Sequence, residues 1–363
     1  MKSKIKSFPR YTHYDEILDE KNNSSDTMTA FGGKTQKIFV RMDSEFLSDL
    51  FVAKSRGNSS YVTYLDSLFD GKYSYTRQGA PLKSISVLLK SYSSMQSEGY
   101  PCGEAIASKI GNVMGIPVVF NQHIVGIDPI KEEGLDLGLI EYIQRYSRGE
   151  QEKNHIISVD FMEYSPDISY DTIFKGYSKG AACKYSRGNW SLREWYKFFL
   201  FENDFCDPKT GEKISLADRK KLTKDFIKMY LFRKYVISDS DFDIHNIVIK
   251  HDAKKKTYEF GPNYDMERAF CRDVDDDLYE LKFMEDIEFA YKAYPEEIDS
   301  FMKSLKKLER NISAVTDDVK NGYFKNKYKR NLSKNISLMQ GVYHSNSFKR
   351  FKDNLPQDSC SQR

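Results

Sequence analysis

The sequence has few cysteines, and their positions predict neither disulfides nor a metal centre. Five cysteines are scattered over 363 residues, their number is odd, and none lies in a C-x-x-C motif. This argues against a disulfide framework and against a zinc site. The six histidines form no H-x-x-x-H or H-E-x-x-H pair, so a hydrolytic zinc centre is not predicted either.

Long apolar runs and a strong net charge are also missing. No uninterrupted apolar stretch approaches the roughly 18 residues of a membrane-spanning helix, and the basic first ten residues lack the apolar core of a secretory signal. We therefore expect a cytoplasmic protein. The formal net charge of +3 is too small to favour nucleic acid or a membrane as a partner.

The length and the hydrophobic pattern predict an α+β fold with two lobes. At 42.3 kDa and 40% hydrophobic residues, the chain can bury more than one core. Short β-rich runs dominate 31–164 and helical periodicity dominates 165–345. We expect a small strand-rich N-terminal lobe and a larger helical C-terminal lobe, preceded by an extension at 1–30 and followed by a polar tail at 346–363.

Individual elements follow from apolar spacing and from Gly and Pro breaks. A helix is predicted from Gly103, with Glu104 in its first turn, to the break at Gly115. The other predicted helices are 135–146, 190–201, 215–237, 277–293, 296–312 and 325–340, and the predicted strands are 37–41, 61–65, 84–90, 116–120, 155–164, 246–250 and 257–260.

An acid, an amide and a second acid follow a predicted helix in an informative order. Asp241 comes after the helix, Asn246 opens a strand five positions later, and Asp265 follows the return strand of a short hairpin. Phosphoryl transfer of the kinase type needs an Asp that accepts the hydroxyl proton, and an Asn and an Asp that bind the metal. Mg²⁺ prefers such hard oxygen ligands, so the pattern predicts a magnesium-dependent phosphotransferase site.

Such a site also needs a lysine for the α- and β-phosphates of ATP and a helix glutamate that holds it. Lys90 ends a predicted strand and Glu104 lies fourteen positions further on, so we expect an ion pair between them. Lys54 is the competing lysine, fifty positions before Glu104. Glycines 32–33 and 79 are alternative phosphate-loop positions, but neither completes G-x-G-x-x-G or a P-loop, and the loop stays unassigned.

The base of a bound nucleotide would meet the linker strand that leaves the first lobe. Backbone groups near Phe161, Met162 and Glu163 are the candidates for binding the adenine edge between apolar walls. An ordinary buried strand is the alternative interpretation of the same segment.

Over roughly residues 84–270 the chain resembles the HipA-like serine/threonine kinases, a branch of the protein-kinase-like fold. The resemblance rests on Leu88-Leu89-Lys90, on the E-x-x-A-x-x-I pattern from Glu104 with Gly115-Ile116-Pro117, on Asp241-x4-Asn246, and on Tyr264-Asp265. It implies that Asp241 is the catalytic base, that Asn246 and Asp265 bind Mg²⁺, and that Lys90 contacts ATP.

The catalytic loop departs from the family pattern at one position. Asp243 stands two positions after Asp241, where the family usually has His, and His245 lies beside Asn246. A register that starts at Asp243 would place Val248 at the metal position, which favours the register that starts at Asp241.

The leading interpretation is an ATP- and Mg²⁺-dependent serine/threonine protein kinase that also phosphorylates itself. Residues 91–94 and 58–60 are candidate autophosphorylation loops, with plain linkers as the alternative. The resemblance also implies a protein substrate and an antitoxin-like or other regulatory protein partner. Two other functions stay open, namely a kinase-shaped nucleotide-binding protein that acts through a partner, and phosphotransfer to a small molecule.

Overall fold

The structure is a computed structural model that describes residues 36–43, 76–77, 80–81, 84–92, 99–119, 121–125, 154–159, 168–173, 191–202, 205–242, 246–266, 268–270, 276–317, 319 and 322–355. Several predictions lie outside these residues: the extension at 1–30, strand 61–65, helix 135–146, Lys54, the glycine loops, loop 58–60, and Phe161, Met162 and Glu163.

Strands concentrate before residue 160 and helices after residue 191. The described strands are β1 (Gln36–Asp43), β2 (Thr76–Arg77), β3 (Ala80–Pro81), β4 (Ser84–Tyr92), β5 (Asn121–Val125), β6 (Asn154–Val159), β7 (Ile168–Thr172), β8 (Val248–Asp252) and β9 (Thr257–Phe260). The described helices are α1 (Gly99–Met114), α2 (Leu192–Phe201), α3 (Leu216–Leu231), α4 (Asp276–Ala293), α5 (Pro295–Thr316), α6 (Gly322–His344) and α7 (Asn346–Asp353).

Two antiparallel sheets frame the candidate site. The first has the strand order β1-β4-β6-β5, and the second has the order β7-β8-β9. Ser91 and Tyr92, predicted in a candidate autophosphorylation loop, instead end β4 and pair with His155 and Asn154. The combination of helices with small antiparallel sheets confirms the α+β class, whereas the lobe boundary near residue 164 stays a prediction.

Helix α1 connects the first sheet to the helical part of the chain. Ala105 clusters with Ile156 of β6, while Ile106 and Ile110 belong to the large core of the helices. The helix ends at Gly115, whose φ of +72° is a backbone conformation that glycine adopts without strain. Because α1 starts at Gly99, Glu104 lies in its second turn, and the prediction of a first-turn acid is wrong.

The segment after α1 was predicted as a strand over 116–120, which is wrong for 116–119. Those residues form only an isolated parallel bridge between Val118 and Asn263. The backbone nitrogen of Val119 donates to the Asn263 carbonyl at 2.8 Å, and the nitrogen of Asn263 donates to the Pro117 carbonyl at 2.9 Å. The segment therefore contacts the chain two residues before Asp265 and extends no sheet.

Most buried apolar side chains form one cluster that runs from α1 through α7. Aromatic side chains of α2 and α3 fill much of it, including Trp195, whose ring centroid lies 4.7 Å from that of Phe226. Helix α3 continues into a π-helical turn at Phe232–Val236, directly before the loop that carries Asp241. The core thus supports the loop from behind.

The predicted polar tail begins as a helix. Helix α7 is capped by the Ser345 side chain, which accepts a hydrogen bond from the Phe348 nitrogen at 3.1 Å. Phe348 is fully buried and anchors this helix to the core, while the polar tail at 346–363 stays a prediction. Among the helices of the described residues, none combines the length and the apolar character needed to cross a membrane.

Candidate active site

Strand β4 and helix α1 bring Lys90 and Glu104 together. The Lys90 Nζ donates to Glu104 Oε1 at 2.7 Å, and the two side chains are only 4% and 1% exposed. The predicted ion pair is therefore present, and Lys90 does not extend into solvent as a strand-end lysine commonly does. A buried ammonium of this kind needs anionic partners, because its desolvation costs several kcal/mol.

The same ammonium also contacts the second predicted acid. Lys90 Nζ donates to Asp265 Oδ1 at 2.9 Å, across 175 positions of sequence. The Asp265 side chain is 22% exposed, so the contact lies where the buried pair reaches solvent. Lys90 thus lies between two carboxylates, one on α1 and one after β9.

A polar network supports Glu104 from behind. The Asn121 amide donates to Glu104 Oε1 at 3.4 Å, and Ser158 donates to the amide oxygen of Asn121. Ser108 donates to the Val119 carbonyl at 2.6 Å, and its hydroxyl accepts the Asn121 backbone N–H at 3.3 Å. Because Asn121 is fully buried, these bonds restrain the side chain that holds Glu104.

The predicted base and the predicted amide ligand lie in one loop. The Asn246 Nδ2 donates to the Asp241 carbonyl at 2.8 Å, which fixes the amide relative to the acid. The Asp241 nitrogen donates to Asp239 Oδ1 at 3.0 Å, an Asx-type turn that shapes the loop. Both Asp241 and Asn246 are partly exposed, so a ligand could reach them. Residues 243–245 lie outside the described residues.

Arg233 joins this loop to Asp265, and the sequence interpretation missed it. The guanidinium is fully buried and pairs with the carboxylate of Asp239. It also donates to the Tyr264 carbonyl at 2.9 Å and to the Asp265 carbonyl at 3.3 Å. All five residues predicted for the base, metal and phosphate roles within the described chain therefore belong to one connected set of contacts.

Burial affects the pKa of the acid that pairs with Arg233. Burial raises the pKa of the Asp239 carboxyl, and the charge of Arg233 and the hydrogen bond from the Asp241 nitrogen act in the opposite direction. Asp239 contacts the positively charged guanidinium of Arg233, and an ionised carboxylate is the form of Asp239 that matches this contact. The sequence offers no signal for this pair, because the helix and the turn that follows it carry many other charged residues and only burial distinguishes Arg233 from them.

The backbone at Asp265 is strained. Its φ of +54° lies in the left-handed region, which a non-glycine residue adopts at a cost of about 1–3 kcal/mol. The contacts of Asn263 with Pro117 on one side, and of Arg233 with the Asp265 carbonyl on the other, hold this conformation. Strain of this type concentrates at functional sites, where the surrounding structure over-determines it.

The donor set fits a magnesium ion. The Asn246 contact uses the amide nitrogen, which leaves the oxygen that a hard cation prefers, and Asp265 supplies a carboxylate. Within the described residues, no group of three or more His, Cys, Asp or Glu side chains is arranged to hold a metal. A site with few protein ligands suits Mg²⁺, which keeps waters and phosphate oxygens as its other ligands.

No protein-family model and no curated protein sequence matches this chain. Solved structures do resemble it. The proinflammatory kinase CtkA of Helicobacter pylori gives a TM-score of 0.44 at 13% identity, over 74% of this chain and 91% of that one. HipA of Shewanella oneidensis MR-1, from a complex with HipB and operator DNA, gives 0.42 at 12% identity, over 96% of this chain and 74% of that one.

The Golgi casein kinase with Mn and ADP bound gives a TM-score of 0.41 at 11% identity, over 94% of this chain and 93% of that one. CtkA and the Golgi casein kinase are named as kinases, and HipA is the protein after which the HipA-like kinases are named. At these identities and TM-scores the neighbours do not assign the chemistry of this chain.

Proposed function

We propose that the chain is an ATP- and Mg²⁺-dependent serine/threonine protein kinase of the HipA-like type. The observation that carries the proposal is the position of Lys90 Nζ, 2.7 Å from Glu104 Oε1 and 2.9 Å from Asp265 Oδ1. A lysine placed between a helix glutamate and a metal-binding aspartate is the arrangement that binds the phosphates of a nucleotide beside its cation.

Each residue then has one role. Asp241 accepts the proton of the attacking hydroxyl as the new O–P bond forms to the γ-phosphorus of ATP. The bond from that phosphorus to the bridging oxygen breaks, and ADP leaves with the electron pair. Lys90 binds the α- and β-phosphates, and Glu104 keeps its ammonium in place.

The cation would be held by Asn246 and Asp265. A bound Mg²⁺ would supply positive charge that offsets the negative charge of the transferred phosphoryl group. The residues around it supply orientation, since Asn246 is fixed on the Asp241 carbonyl and Asp265 is held by Lys90 and Arg233. Backbone groups near Phe161, Met162 and Glu163 stay the predicted adenine contacts.

Transfer of labelled phosphate from ATP, with and without Mg²⁺, tests the proposal. Asp241→Asn should lower kcat by about 10²–10⁴, the contribution of a general base, and Asp265→Asn should remove the dependence on Mg²⁺ along with most of the activity. The exposed acid Asp317, which pairs with Lys325 at 3.0 Å, is the matched control, and Asp317→Asn should retain wild-type transfer. Equal transfer by all three variants would refute the assigned roles.

The acceptor is tested in the same assay. Mass spectrometry of the labelled protein distinguishes phosphoserine or phosphothreonine on the chain itself from label on an added protein or small molecule. A catalytically silent nucleotide-binding protein would show an ATP-Mg²⁺ melting shift, about 2.7 kcal/mol of stabilisation at a hundredfold excess over Kd, without transfer. The antitoxin-like partner stays a prediction, and co-purification of a stoichiometric protein from the native host would test it.

A further inference from the structure

Arg233 occupies an unusual place, because one buried guanidinium contacts both halves of the candidate site. It lies in the π-helical turn Phe232–Val236 at the end of α3. Such turns often occur at functional sites, since the extra residue changes which side chains face inward. Here Arg233 faces the site while Tyr235, two positions on, donates its hydroxyl to Asp286 elsewhere in the core.

On the side of the catalytic loop, Arg233 determines how Asp241 is presented. Its carboxylate partner Asp239 accepts the backbone N–H of Asp241 at 3.0 Å, and the Asp239 N–H donates to the Arg233 carbonyl at 2.8 Å. The guanidinium carbon also lies 5.0 Å from the centroid of the Phe242 ring, the residue after Asp241. The acid is therefore flanked by two residues that Arg233 contacts.

On the side of the metal acid, Arg233 bonds to the backbone itself. Its two terminal nitrogens donate separately to the carbonyls of Tyr264 and Asp265, at 2.9 and 3.3 Å. The two carbonyls belong to the peptide groups on either side of the Asp265 Cα, so contacts with both of them restrain the left-handed φ of Asp265. This restraint determines where the carboxylate, and with it any cation, can lie.

We propose that Arg233, neutralised by Asp239, is a positioning residue that sets the separation between Asp241 and Asp265. The inference rests on the proposed function for its catalytic meaning. A planar guanidinium presents five donors in a rigid fork that reaches a carboxylate and two separate carbonyls, whereas the three donors of a lysine ammonium radiate from one compact point at the end of a flexible stem. Lysine at this position would keep the charge and lose the geometry.

Helix α3 supplies a matched control in Arg219. Its guanidinium is also buried and also binds three groups, the carbonyls of Ile214, Glu202 and Phe205, at 3.0, 2.8 and 2.7 Å. None of these groups belongs to the site. The same substitution, Arg to Lys, can therefore be compared at two buried positions of one helix, only one of which contacts the site.

In the transfer assay, Arg233→Lys should lower kcat by about 10²-fold, the size expected for a displacement near 1 Å, with KM for ATP changed less than threefold. Arg219→Lys should lower the melting temperature and leave kcat per folded molecule within twofold of wild type. Equal effects of both variants on kcat would overturn the proposal, because Arg233 would then be a structural residue only.

Amide hydrogen exchange provides a readout that needs no activity. Arg233→Lys should speed exchange in both segments that Arg233 joins, 239–242 and 264–266, whereas Arg219→Lys should leave both at the wild-type rate. Faster exchange confined to the turn at 232–236 would refute the coupling. If Arg233→Lys does not fold, Asp239→Asn serves as the second variant and should speed exchange in the same two segments.

The two proposals fail in different ways. If Arg233→Lys speeds exchange in both segments but the wild type transfers no phosphate, the positioning role of Arg233 is retained and the kinase is rejected. If the wild type transfers phosphate but Arg233→Lys does not speed exchange in both segments, the kinase is retained and the positioning role is rejected.

Discussion

Removing either member of the buried pair Lys90–Glu104 should destabilise the fold, and removing both should cost less than the sum. Lys90→Met removes the ammonium that contacts the fully buried Glu104, while Glu104→Gln leaves Lys90 with Asp265 at 2.9 Å. Only the second variant therefore keeps one of the two ion pairs of Lys90. The double variant leaves neither charge of the pair.

The distance sets the size of the effect. Opposite charges 2.7 Å apart attract by about 6 kcal/mol at an effective dielectric constant of ~20, before desolvation is subtracted. Breaking a buried pair from one side typically costs about 3–5 kcal/mol, which we expect for Lys90→Met. Glu104→Gln should cost about 1–3 kcal/mol, because Asp265 still neutralises the ammonium. The coupling energy of the double-mutant cycle should then be about 1–3 kcal/mol.

Urea denaturation of the four proteins, followed by circular dichroism at constant pH, measures the cycle. A matched surface cycle is available in Lys221 and Glu259, which pair at 3.0 Å with side chains about half exposed, and whose coupling should be at most about 0.5 kcal/mol. If the Lys90 and Glu104 effects add to within about 0.5 kcal/mol, the pair carries no buried interaction and the reasoning is refuted.

Three further predictions concern other parts of the fold. Gly111→Ala should cost about 1–3 kcal/mol in urea unfolding, because a Cβ there would overlap Val118 Cγ1; an unchanged midpoint would contradict this packing. Burial raises the pKa of Asp286, so the folded state binds its proton more tightly; stability from this group is present below pH 3.8 and is lost as pH rises through the folded pKa. In a plot of the urea midpoint against pH, Asp286→Asn should therefore show a smaller fall than the wild type as pH rises. Parallel curves for the two proteins would contradict this prediction. Lys352 Nζ lies 3.9 to 4.9 Å from three ring centroids, so Lys352→Met should lower stability by about 1–2 kcal/mol while Lys352→Arg retains it, as thermal melting would show.

Hydrophobic periodicity predicted those helices and strands that depend only on local features of the sequence. The long helices of the second half begin and end within a few residues of their predicted positions, because their apolar spacing and caps are local features. The segment after Gly115 has the apolar, β-branched composition of a strand, yet within the described residues 116–119 its β-bridge is a single one, to Asn263. Composition cannot reveal whether a partner strand lies beside a segment. Similarly, the polar composition of α7 did not predict that Phe348 would be buried in the core.

Some residues of the candidate site could likewise be predicted from the sequence, and others could not. Spacing singled out Asp241, Asn246 and Asp265, because the chemistry of phosphoryl transfer demands those side chains in that order. Arg233 and Asn121 were missed, since each acts through contacts with residues far away in the chain. An arginine inside an amphipathic helix is ordinarily a surface residue, and only burial distinguishes this one.

The sequence by itself determined which side chains can accept a proton, bind a cation or form an ion pair with a lysine, because those are properties of residue type and local order. The tertiary structure alone decided which of them meet. Lys90 and Asp265 are 175 positions apart, and their contact depends on how α1, the bridge at Asn263 and the guanidinium of Arg233 pack. Packing of this kind depends on the whole core at once, so no local pattern encodes it.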